Sequence, residues 1–235
     1  FSERDPMDAT RQIHELLDLR QGAVAIRFQE TAPEGMPRIS NAEVAGCRYW
    51  KLAAEGESFY TEAADHYGCP VGSHTHGIEL PGEVAEELEG VMGTMVKLEY
   101  LATEEIPQIP QLAGGFGVAL YAPLLEAEFE PDVVLLTGTA RQIMLLAEAA
   151  AAAGVASDGS MVGRPTCAVI PAVIESQSTG TNLGCIGNRV YTELEDDEFY
   201  FVIAGSKLQL VSEKLVTIVE ANRVLADHHQ ARLSG

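Results

Sequence analysis

The chain has 235 residues, enough to bury a large core as one domain over 1–235 or as two intimately packed halves. Its formal net charge of −20 and pI near 4.5, with only 15 Lys and Arg, exclude a phosphate-backbone partner and disfavour anionic membrane surfaces. No run of about 18 apolar residues occurs, so no membrane-spanning helix is expected.

Helices and strands alternate along the chain. Ile13, Leu16 and Leu17 follow helical spacing after Asp8 or Thr10 as a cap, and Gly22 ends that helix before a strand from Ala23 to Phe28. A loop with Pro33, Gly35 and Pro37 follows. The run from Cys47 to Glu55 predicts a short helix stopped by Gly56, which places Cys47 at its N-terminus, where exposed amides favour a thiolate. Past Cys69, the segment Val71 to Leu80 reads as loop or irregular strand, in which His74 and His76 would face one side as a candidate ligand pair.

Pro81-Gly82 precedes a helix carrying Val84, Leu88, Val91, Met92 and Met95. Phe116 to Tyr121 and Asp132 to Leu136 read as buried strands of a covered sheet. Thr139 with Gln142 predicts a capping box for a helix ending at Gly154. Cys167 begins an apolar, strand-like run, Cys185 lies in a glycine-rich loop, and Glu198 to Ala204 is a strand. Ser206 with Gln209 then predicts a second capping box, opening a last helix with Leu208, Val211, Leu215, Ile218, Val219 and Leu225 on one stripe. The fold class is mixed α/β (α+β): a mixed sheet covered by helices. Element order suggests two pseudo-repeated halves, 1–112 and 113–235.

Four cysteines carry the chemistry. Cys47 and Cys69 are 22 positions apart, Cys167 and Cys185 are 18 apart, and the second of each pair sits behind glycine, in Gly68-Cys69-Pro70 and Gly184-Cys185-Ile186-Gly187. This is far below the density of a disulfide scaffold, and in a reducing compartment recurring thiols are more often metal-binding or catalytic than cross-linked. Four convergent thiolates suit a [4Fe–4S] cluster, with Gly68, Gly184 and Gly187 bringing backbone close to it and Arg189 offering a fork to an anion. Zinc, a redox disulfide or reactive thiol, and cysteines that only pack as small hydrophobes remain open. Tyr49 and Trp50 beside Cys47 would either wall off such a site or pack in the core.

The order Val24-Ala25-Ile26-Arg27-Phe28, Cys47, Gly68-Cys69-Pro70, Tyr121-Ala122-Pro123-Leu124, Glu130-Pro131-Asp132-Val133-Val134, Cys167 and Leu183-Gly184-Cys185-Ile186-Gly187-Asn188-Arg189 resembles the family catalogued as domain of unknown function 169. The resemblance spans nearly the whole chain and implies a cytoplasmic prokaryotic protein whose four cysteines stand at the family's cysteine positions. It leaves the reaction, and whether there is one, to the residues.

Two functional classes follow from this reading. One is a cytoplasmic iron–sulfur redox or accessory protein, with Cys47, Cys69, Cys167 and Cys185 as ligands and a redox partner protein in electron transfer. The other is a small-anion or small-molecule binding protein with structural cysteines and no cluster. No catalytic residue stands out, and self-association through the last helix is the expectation for quaternary structure.

Overall fold

The computed structural model describes residues 6–158 and 164–234. Its centre is a seven-stranded sheet built from β1 (Val24–Gln29), β2 (Phe59–Glu62), β3 (Val118–Pro123), β4 (Val133–Thr139), β5 (Ser157–Asp158), β6 (Thr179–Asn182) and β7 (Glu198–Ala204), in the order β2-β3-β1-β4-β7-β6-β5. Neighbours run antiparallel except the short β5, which pairs parallel to β6. The strands do not segregate at residue 113: β3 lies between β2 and β1, with Ile26 opposite Tyr121 on one side and Val133 on the other.

Both sheet faces are covered, and successive residues of one strand serve opposite cores. On one face Ala25, Val134, Leu136, Phe201 and Ile203 meet α1 (Pro6–Leu17), α5 (Ala140–Ala152) and α8 (Leu208–Ser234). On the other, Val24, Ile26, Val133, Leu135 and Val202 meet α2 (Cys47–Ala54) and α6 (Val169–Ser176). The remaining helices, α3 (Pro70–Thr75), α4 (Gly82–Lys97) and α7 (Ile186–Thr192), lie in the connections. No described helix is long and apolar enough to cross a membrane.

Several local expectations are corrected. Asp8 and Thr10 fall inside α1 rather than ahead of it. Val71 to Leu80 begins with a helix, because Pro70 occupies a first-turn position where its missing N–H costs no hydrogen bond. Cys167 sits in a 3-10 turn, Thr166–Ala168, and the apolar run after it is helix α6, not strand. Pro171 fits there because it too lies in the first turn. The Ser206–Gln209 box does not form: Ser206 donates to Gln177, Gln209 donates to Glu213, and a 3-10 turn at Gly205–Lys207 opens α8 instead. Of that helix's stripe, Leu208, Val211 and Leu215 are buried, Ile218 and Val219 flank the core, and Leu225 is exposed.

Candidate functional site

Each cysteine comes from a different segment, and each sits where a helical turn begins. Cys47 is the first residue of α2, Cys69 immediately precedes α3, Cys167 lies in the turn before α6, and Cys185 is the N-cap of α7. All four are free and line one cavity of about 390 Å³. Their side chains are half-buried because they border that space.

Hydrogen bonds tie the segments together. The Cys185 N–H donates to Thr166 Oγ1 at 2.6 Å, which locks the α7 loop to the turn holding Cys167. The Cys185 Sγ accepts from the Asn188 N–H at 3.4 Å. From α2, Arg48 donates to the Tyr191 carbonyl and Lys51 pairs with Glu193, so the Cys47 helix is fixed to α7. Behind Cys69, Ser73 Oγ donates to the His66 carbonyl at 2.8 Å and the Ser73 N–H to the Cys69 carbonyl at 2.8 Å. Gly72 packs closely on the thiol: a Cβ there would stand 2.9 Å from Cys69 Sγ, which would have to shift.

The thiols sense one another electrostatically. Burial, then the neighbouring Cys69, push the Cys47 thiol up to about 12, against a downward pull from Asn188 and with a lesser upward push from Cys185. Burial followed by Cys69 raises the Cys167 thiol further still, partly offset by a hydrogen bond from Thr75. Without a cation, these two groups therefore stay protonated at neutral pH; positive charge in the cavity is what would turn them into thiolates. The thiols border a space rather than meet at a point, and among the described residues no group of three His, Cys, Asp or Glu is placed to clasp a single ion.

The other sequence candidates divide. Gly68 and Gly187 line the cavity. Gly184 shapes the turn behind it at φ +78°, where a Cβ would meet Leu194, Asn188 and Arg189. Arg189 offers no fork to an anion: its guanidinium donates to the backbone carbonyls of Leu183 (2.6 Å), Glu195 (2.9 Å) and Glu198 (3.2 Å), which pins the loop carrying Cys185. Tyr49 and Trp50 pack in the core, Tyr49 Oη donating to the Asp65 carbonyl and Trp50 meeting the Tyr200 ring edge-on. His74 and His76 do not form a pair, because on helix α3 they separate: His74 is hydrogen-bonded to Gln111, whereas His76 is buried in the cavity wall.

Sequence reasoning missed two parts of the site. In the sequence α4 reads only as an amphipathic helix; of its residues Met92 alone is buried, and Val91, Met92 and Met95 line the cavity. Two methionines one turn apart were the available signal, since flexible thioethers suit adaptable pockets. His76 stands out in the sequence only as half of a candidate ligand pair with His74, and its unpartnered burial carries no signal there. Its ring is 1 % exposed, neither nitrogen has a hydrogen-bond partner, and burial with His66 nearby pushes it down to about 3, so it is neutral.

No solved structure matches the chain. An uncharacterised protein of Methanocaldococcus jannaschii, MJ0308, is 23% identical over 213 residues, covering 87% of this chain and 91% of the relative. The profile of domain of unknown function 169, described as "Uncharacterised ArCR", matches residues 12–214. With its cysteine-lined cavity inside the matched span, the chain belongs to the family of domain of unknown function 169.

Proposed function

We propose that this protein is a cytoplasmic iron–sulfur protein in which Cys47, Cys69, Cys167 and Cys185 hold a [4Fe–4S] cluster, serving as a redox or accessory module for a partner protein. The observation that carries the reading is the convergence of all four thiols, from four separate segments, on one cavity. Four soft thiolates are the donor set of such a cluster, and when bound it supplies one-electron chemistry.

The chain's own residues suit that guest. Gly72 leaves Cys69 Sγ uncrowded, and the Asn188 amide already donates to a ligand sulfur, the kind of contact that tunes a cluster's potential. Val91, Met92 and Met95 of α4 add apolar surface to the cavity that the thiols line. A lone zinc ion would need every sulfur drawn to about 2.3 Å of one point.

Anaerobic reconstitution with iron and sulfide tests this. The expected product is brown, with broad thiolate-to-iron absorption and iron and sulfide in near-equal amounts, four of each per chain. Cys185→Ser should lose the cluster and His76→Ala should keep its spectrum; the opposite pair of results, or a colourless wild type, refutes the ligand set.

A further inference from the structure

We propose that the cavity also receives a small uncharged molecule, an apolar body with one hydrogen-bonding group, seated between the thiols and α4 with that group on His76. The volume, about 390 Å³, falls in the range of small-molecule sites. Much of the lining is apolar: Val91, Met92 and Met95 of α4, with Tyr100, Leu101 and Ile109. Such a surface binds hydrocarbon, and its methionines adapt to shape.

Two polar side chains of the lining, Asn188 and His76, lack hydrogen-bond partners, and of these His76 is the one next to α3 and the apolar residues. Buried polar atoms are hydrogen-bonded as a rule, and His76 breaks it with both ring nitrogens. A neutral imidazole offers one donor and one acceptor, so it can hold a hydroxyl, a carbonyl or an amide of a guest equally well. Its ring is fixed by edge contact with Phe28 at 5.4 Å and His66 at 6.0 Å. Charge in the lining is balanced and already engaged on the cationic side. Besides Glu87, the lining holds Arg164, which pairs with Glu105 at 3.5 Å and lies over the Tyr100 ring at 5.3 Å. No cation in the lining is left to compensate an anionic guest, and the apolar lining gives a cationic one Glu87 alone, so the guest is uncharged.

This names the class of molecule the thiol-lined cavity would act beside, and in that sense rests on the cluster reading, but the two fail separately. Calorimetric titration with 2-naphthol and with 2-methylnaphthalene, equal in shape and differing in one hydroxyl, reads the site in apoprotein and in reconstituted protein. Wild type should bind both saturably, with the naphthol about tenfold tighter, the worth of one hydrogen bond. His76→Phe should bind both alike, and Met95→Trp, which fills the α4 end, should bind neither while retaining wild-type helicity. Absence of saturable binding to wild type, or a naphthol preference that survives in His76→Phe, overturns the site even if the protein is brown. A colourless protein that binds naphthol through His76 overturns the cluster and leaves the site standing.

Discussion

The two faces of the sheet are built to different rules. One is sealed by the long helices α1, α5 and α8, of 12, 13 and 27 residues, over aliphatic side chains such as Ile13, Leu136, Leu146 and Leu215. The other is covered by α2 and α6, of 8 residues each, over aromatic Tyr49, Trp50, Tyr121 and Tyr200. It also holds polar atoms without hydrogen-bond partners at Trp50, His66 and His76. Long amphipathic helices close a core and offer few ends. Short ones multiply the ends, and the four cysteines stand at four of them. The aliphatic face thus stabilises the fold, while the aromatic face gives up saturated packing for a cavity with chemical groups in it.

Substitutions separate the two roles. The largest effect belongs to the thiols: after reconstitution, Cys47→Ser or Cys185→Ser should lose essentially all cluster absorption, and with it the melting temperature gained on loading, because ligand binding to a site absent from the unfolded chain is folding energy. On the aliphatic face, Leu146→Ala should cost about 2–5 kcal/mol in denaturant unfolding through its cavity, with iron per folded chain unchanged. An iron deficit in that variant would show that the faces are not independent.

The buried histidines set a pH dependence for the apoprotein. Burial lowers His66 to about 4 and His76 to about 3, so below the ordinary value of 6.5 the unfolded chain binds protons that the folded chain refuses. Stability is therefore full above pH 6.5 and falls as pH drops toward 3, by on the order of a few kcal/mol across that window. Denaturant midpoints from pH 7 to 4 check this, and His76→Phe should flatten the slope. The smallest effect is on the aliphatic side. Gln142 accepts from the Thr139 N–H and hydroxyl and donates to the Leu17 carbonyl, so Gln142→Ala should cost about 1 kcal/mol in thermal or chemical melts and leave the thiol cavity untouched.

How far the sequence carries the fold follows from the same contrast. β7 and α2 are legible residue by residue, and the Thr139–Gln142 cap forms as expected, because alternation, capping residues and a stop glycine agree locally. The aromatic face is harder. Val169-Ile170-Pro171-Ala172-Val173-Ile174 is a short apolar run whose period does not tell strand from helix, and the structure makes it α6. Pro70 was the start signal for α3, masked by the glycines around it. Within the site, residue type and glycine context single out the cysteines, and the chain does bring them to one cavity. His76 stands out in the sequence only beside His74, and its isolation is illegible there, because Phe28, His66 and the cavity come around it only through tertiary packing.

The central claim is that four distant sulfurs act as one ligand set. Mössbauer spectroscopy of protein reconstituted anaerobically with isotopically enriched iron and sulfide tests it most directly. The account predicts one cubane of four tetrahedral thiolate-bound irons per chain, lost together in any of the four Cys→Ser variants. Iron bound as isolated ions, or a cluster that survives Cys167→Ser and Cys185→Ser alike, contradicts it.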